Sequence, residues 1–179
     1  PSRERVEAYV QLRDEIEQTV GRIDGDYDTM GHTAVRYLHQ AYPREEMVAL
    51  FLAADVMLVT ALRDGMNLVA KEYVASRVDN RGVLLLSEFA GAADELGSAV
   101  RVNPHDIEGL KDAMMRAVEM SAGEQGRRMR ALRKRVQEHD VEAWSADFLE
   151  ALGRAKDGRT GFSLPAEAEA ALARIARTG

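Results

Sequence analysis

The feature that most restricts the fold of this chain is an unbroken apolar run, Val56-Met57-Leu58-Val59-Thr60, set between two stretches of helical spacing. A strand without polar alternation is buried on both faces, the condition of a strand inside a parallel sheet. A second such run spans Gly82 to Ser87, and a shorter one Val100 to Asn103. Between the first two, Asn67 to about Arg77 has the pattern of a helix. Ahead of them Pro43 opens a helix through Ala54, with Met47, Val48, Leu50, Phe51 and Leu52 on its apolar side. Strands and helices alternating over short connections predict right-handed βαβ crossovers and an α/β, doubly wound parallel sheet. Ligands of such sheets bind beyond the carboxyl ends of the strands, here Thr60 to Asn67 and Ser87 to Ala93.

The flanks are predicted to be largely helical. From Arg3 to about Arg22, apolar residues recur mostly at three- and four-residue spacing (Val6, Tyr9, Val10, Leu12, Ile16, Val20), and Ser2 is placed to cap the helix they define. Gly21 to Gly31 reads as a loop and Val35 to Ala41 as a short strand. Helices are expected over Asp106 to Ser121, Glu124 to Glu138 and Val141 to Leu152. Gly153 to Ser163 reads as a linker, and Pro165 to Arg177 as a helical tail. The chain opens on Pro1 and enters a helix with no strand before it, so we expect a segment of a longer protein.

Composition narrows the function classes. With 24 basic and 30 acidic residues and a net charge of -6, the chain lacks the basic face of a nucleic-acid platform. It has no cysteine, which excludes disulfides and thiolate metal sites and fits a reducing cytoplasm. No apolar run reaches the ~20 residues of a membrane span. Asp24-Gly25-Asp26-Tyr27-Asp28 opens like a calcium loop, but Thr29 replaces the glycine at its sixth position and Val35 the glutamate at its twelfth. The arginines between Arg127 and Arg135 alternate with Met129 and Leu132, the pattern of a solvated face on a packed helix. His32, His39, His105 and His139 show no metal-ligand spacing.

Chemistry concentrates at the two strand ends. In Thr60 to Glu72 a strand stops, Gly65 permits a sharp turn, and Asn67 can cap a helix whose first amides have no partner. Free amides and the helix dipole suit an anion such as a diphosphate. Asp64 and Glu72 place a carboxylate on each side, able to grip paired hydroxyls. Spacing alone favours a plain turn at Asp64-Gly65, a plain cap at Asn67, and solvated Lys71 and Glu72. The small residues of Ser87 to Leu96 admit either close backbone approach to a ligand or tight helix-to-sheet packing.

The runs LRDGMNLVAKEYVA, Leu62 to Ala75, and LLLSEFAGAADEL, Leu84 to Leu96, together resemble the donor-site segments of the trehalose-6-phosphate synthase family. The likeness starts at Pro1-Ser2-Arg3, passes through Tyr37 and Asn103-Pro104, and covers roughly the first 150 residues. The resemblance implies a retaining GT-B glycosyltransferase, and for this chain its C-terminal, Rossmann-like, donor-binding half. It divides the chain into a nucleotide-sugar domain (residues 1–138), a helix returning toward the N-terminal domain (139–152), and a linker and tail (153–179). It implies UDP-glucose as donor, glucose 6-phosphate as acceptor, no cofactor or catalytic metal, a cytoplasmic enzyme, and a homo-oligomer at full length. Position by position, Asp64 would hold hydroxyls of the transferred glucose, and the amides of Gly65, Met66, Asn67, Leu68 and Val69 would meet glucose and diphosphate. Ala70 and Lys71 complete the donor segment, Glu72 would hold the ribose, Tyr42 would lie beside the uracil, and Arg3 would contact the acceptor phosphate. The family's phosphate-neutralising arginine and lysine and its acceptor pocket would precede Pro1. A glucosylglycerol-phosphate synthase, a cyclitol-coupling pseudo-glycosyltransferase or a non-catalytic nucleotide-sugar module would share these motifs.

Overall fold

A computed structural model describes residues 6–156 of the chain. Arg3, Ser2 and the expected tail from Pro165 to Arg177 lie outside the described residues. Two compact units divide between Leu50 and Phe51.

In the first unit, helix α1 (Glu7–Tyr27) runs through Gly21 and Gly25, where a loop was expected. Glycine in a helix costs only about 1 kcal/mol relative to alanine, less than a break in the hydrogen-bond series that continues to Tyr27. The helix ends where Asp28 donates its amide to the carbonyl of Asp24 (2.8 Å). Asp24 and Asp28 then serve the turn that follows: their carboxylates accept from the amides of Val35 (2.8 Å) and Ala34 (2.6 Å). Every residue of α1 is at least partly exposed, including its stripe of Tyr9, Leu12 and Ile16. Val35 to Ala41 forms no strand. Tyr37 and His39 stack on one side at 6.0 Å, as residues two apart do on extended backbone, but with no ladder partner among the described residues the segment stays coil.

Helix α2 (Arg44–Ala53) leads into the second unit, where β1 (Val56–Val59), α3 (Leu68–Ser76), β2 (Val83–Ser87), α4 (Ala92–Glu95) and β3 (Val100–Val102) alternate. Helices α5 (Ile107–Val118), α6 (Ala122–Glu138) and α7 (Val141–Lys156) follow. The described sheet is parallel in the order β1-β2-β3, with Val56 opposite Val83 and Leu85 opposite Val100. All five residues of β2 are buried. Val83 and Leu85 pack with Val102 against Ala113 and Ala117 of α5. Leu84 and Leu86 point to the opposite face, where α3 and α6 contact β2 and each other and contribute buried Tyr73, Val74, Met129 and Leu132. The helices thus cover both faces, as a doubly wound sheet requires. Strand β1 departs from the expectation of burial on both faces: it is an edge strand here, with Leu58 37% exposed and only Val59 buried. Helix α7 also passes through Gly153, where the linker was expected to begin.

One buried cation fastens this unit. Arg77, just past the end of α3, donates through Nη1 to the carbonyls of Phe51 (3.0 Å), Leu52 (2.8 Å) and Ala54 (2.9 Å), and through Nη2 to Asp79 (3.1 Å). It closes the carboxyl end of α2, where free carbonyls and the helix dipole favour a positive charge.

Candidate functional site

The connection from β1 to α3 and the connection from β2 to α4 meet at the end of the sheet. Asp64 donates its amide to the Phe89 carbonyl (3.3 Å), and Gly91 donates its amide to the Asp64 carbonyl (2.8 Å), which adds one parallel rung beyond the strands. A Cβ on Gly91 would overlap the carbonyl oxygen of Gly65, so this close approach requires glycine at position 91. Ser87, fully buried, ties the second connection to the first: its hydroxyl donates to the Ala61 carbonyl (2.6 Å) and accepts from the Phe89 amide (3.1 Å).

Within the first connection, Asp64 organises the turn. Its Oδ1 accepts from the amides of Met66 (3.1 Å) and Asn67 (3.0 Å), and its Oδ2 from Asn67 Nδ2 (3.0 Å). The bond from the Met66 amide, followed by the Asn67 side chain, holds the Asp64 carboxyl below the usual carboxylate range. Asn67 takes a left-handed conformation (φ 62°) and caps α3 by accepting from the Ala70 amide (3.0 Å). Asparagine tolerates that conformation better than most side chains. The amides of Leu68 and Val69, in the first turn, have no acceptor within the helix. They stand at the positive end of the helix dipole.

Beside this turn lies a cleft of about 270 Å³, with Arg63, Asp64 and Gly65 on one side and Glu88, Gly91 and Asp94 on the other. Arg63 is the cation of this lining, among the three carboxylates of Asp64, Glu88 and Asp94. The structure brings Asp64, Gly65, Met66 and Asn67 together in one turn, and carries Leu68, Val69, Ala70, Lys71 and Glu72 on the helix that turn starts. Ala70 is fully buried, and its amide is taken by the Asn67 side chain. Glu72 is exposed. Lys71 is not solvated: its Nζ lies 2.8 Å from both carboxylate oxygens of Glu95. The Lys71–Glu95 pair escaped sequence reasoning, although a cation in the first turn of a helix, against the dipole, signals a nearby anion. In the first unit, Tyr42 borders an apolar cavity of about 320 Å³ with Leu38, Ala49 and Leu50, and its hydroxyl accepts from Gln40 Nε2 (2.6 Å). Arg3 lies outside the described residues.

A parallel α/β sheet whose strand ends carry a glycine turn and a capped helix start has the construction of a domain that binds a phosphate-bearing ligand. The chain belongs to glycosyltransferase family 20, whose profile matches residues 1–154. It is 58% identical, over 93% of its length, to a trehalose-6-phosphate synthase of Mycolicibacterium smegmatis, and covers 34% of that protein. Its fold, the Rossmann-like half of a GT-B enzyme, is shared with solved trehalose-phosphate synthases. One from Burkholderia vietnamiensis matches 85% of the chain with a TM-score of 0.80 at 42% identity, the chain covering 35% of it. Another, from E. coli and bound with UDP-2-fluoro glucose, matches 84% with a TM-score of 0.80 at 45% identity, the chain covering 34% of it. The chain thus spans about a third of the length of the relatives it matches.

Proposed function

We propose that this chain forms the donor-binding part of an α,α-trehalose-6-phosphate synthase, which transfers glucose from UDP-glucose to glucose 6-phosphate with retention of configuration. The observation that carries this reading is the joined pair of strand-end loops, Asp64 to Asn67 and Phe89 to Gly91, which sets the turn that starts α3 against a polar cleft lined by Asp64 and Gly65. We further read residues 1–138 as the nucleotide-sugar domain and 139–152 as a helix that returns to the N-terminal half.

The chemistry follows from the positions. Charge grows on the departing diphosphate as its bond to the sugar breaks, and the amides of Leu68 and Val69, with the α3 dipole, stabilise it without having to reorganise, whereas those of Met66 and Asn67 are held by Asp64. Asp64 stays ionised, because its own turn donates to it. Its Oδ2 takes one bond from Asn67 and retains acceptor capacity for a hydroxyl of the transferred glucose. Glu72, exposed on the same helix, is left to hold the ribose hydroxyls. Tyr42, at the rim of an apolar cavity, supports the uracil, and Arg3 anchors the phosphate of the acceptor. No carboxylate nucleophile is needed: the acceptor hydroxyl is held on the face the diphosphate leaves, its oxygen bonds to the anomeric carbon as that bond breaks, and its proton passes to the departing diphosphate.

The test uses a polypeptide of the relatives' full length that carries this segment. Asp64→Asn should lower turnover at least about tenfold while UDP binds almost as before, the loss of one charge-assisted bond in the transition state. Glu72→Ala should raise KM for UDP-glucose and leave that for glucose 6-phosphate unchanged. Unchanged turnover in the first variant, or equal effects on both substrates in the second, would reduce these residues to turn and surface roles.

A further inference from the structure

Lys71 and Glu95 form an ion pair between α3 and α4, the helices that start from the two loops. Both carboxylate oxygens lie 2.8 Å from Nζ, and the side chains are only 17% and 29% exposed. Helix α3 alone does not explain a lysine in this place, because the dipole disfavours a cation in the first turn. Glu95, the last residue of α4, supplies the compensating charge. Between the loops themselves the backbone makes a single rung, Asp64 to Phe89 and Gly91 to Asp64, past the point where the strands end. A rung at the end of a ladder opens readily unless something beyond it holds the strands together.

We propose that Lys71–Glu95 is the latch that holds this rung closed, and that Lys71 is a positioning residue rather than a ligand of the donor phosphates. Two of its three N–H donors are directed to Glu95, and the carboxylate neutralises it. An anion arriving at Leu68 and Val69 therefore meets the helix dipole and not a free ammonium. The latch keeps Gly65 against Gly91 and fixes the direction of the α3 amides. Removing either partner has the same consequence, which a direct phosphate contact by Lys71 would not produce.

The affinity half of this inference rests on the donor-binding reading above, whereas the exchange half needs no ligand. In the chain itself, Lys71→Met, Glu95→Gln, the double variant and the swap Lys71→Glu/Glu95→Lys are compared by amide hydrogen exchange and by UDP calorimetry. Each single variant should speed exchange of the Asp64 and Gly91 amides by about tenfold, with Leu85 in the central strand unchanged. The double variant should be no worse than either single one, and the swap should restore protection to within about threefold. UDP affinity should fall by a similar factor, about three- to tenfold, in both single variants. Unaltered exchange at Asp64 and Gly91 would overturn the latch. A loss of UDP affinity in Lys71→Met, with affinity kept or raised in Glu95→Gln, would make Lys71 a phosphate ligand and overturn its positioning role. If the parent chain fails to bind UDP, the donor-binding reading falls, while the exchange rates still decide the latch.

Discussion

Gly91→Ala separates the close approach of the two loops from every other influence on the site. Gly91 has φ -56° and ψ -31°, a conformation alanine adopts freely, so the backbone adds no penalty. The cost arises from contact alone: the new Cβ would overlap the Gly65 carbonyl oxygen and lie 2.8 Å from its carbon. Both atoms belong to backbone, and relief requires the first loop to withdraw by about 1 Å. That movement breaks the bond from the Gly91 amide to the Asp64 carbonyl (2.8 Å) and strains the one from the Asp64 amide to Phe89 (3.3 Å). At about 0.5–1.5 kcal/mol net for each bond, the variant should lose about 1–3 kcal/mol. In a chain of this size that is a fall in Tm of about 3–10 °C. Gly97→Ala is the control, since a Cβ there meets nothing within 4 Å. Calorimetric melting of the two variants beside the parent is the assay, with exchange of the Gly91 amide read alongside. Equal melting of Gly91→Ala and the control, with the Gly91 amide as protected as before, would refute the description of the loop contact.

Two further predictions address the frame and the turn. Arg77→Met should cost about 3–5 kcal/mol in denaturant unfolding, because it strips a buried cation from the carbonyls of Phe51, Leu52 and Ala54; a loss below about 1 kcal/mol would mean that water replaces the guanidinium at no cost. Asp64 predicts an acid-sensitive turn: its folded pKa lies below the ordinary 3.8, so its contribution is complete above that value and is lost as pH falls through the lower folded value. The Met66 and Asn67 amide resonances should hold steady down to about pH 4 and shift below it, and a midpoint above the ordinary value would contradict the bonding assigned to Asp64.

Local pattern carried much of this structure. The apolar run at Gly82 to Ser87 is the central strand, fully buried as its lack of alternation requires. Asn67 caps α3, and Asp106 caps α5 by accepting from Gly109, where short polar side chains precede helical spacing. Features set by distant partners were illegible. Arg77 serves carbonyls more than twenty residues earlier, and Lys71 finds Glu95 across the sheet end; neither has a periodicity of its own. The exposed edge at β1 escaped for the same reason, since an apolar run does not state how many neighbours the strand has. Val35 to Ala41 has a strand's composition and no ladder, and α1 runs on because two glycines weigh less than a continuing hydrogen-bond series. At the site, spacing marked out the two loops and left their meaning open. The paired motifs LRDGMNLVAKEYVA and LLLSEFAGAADEL pointed to the family, and the match over residues 1–154 established it.

The most direct test of the central claim is a UDP-glucose titration of the isotopically labelled chain, followed by amide resonances. Saturable shifts centred on Asp64 to Glu72 and on Phe89 to Gly91, little altered by magnesium, are the predicted result. No shift at millimolar ligand, or shifts confined to Arg135, His139, Trp144 and Asp147, which line another cleft, would contradict a donor site at the strand ends.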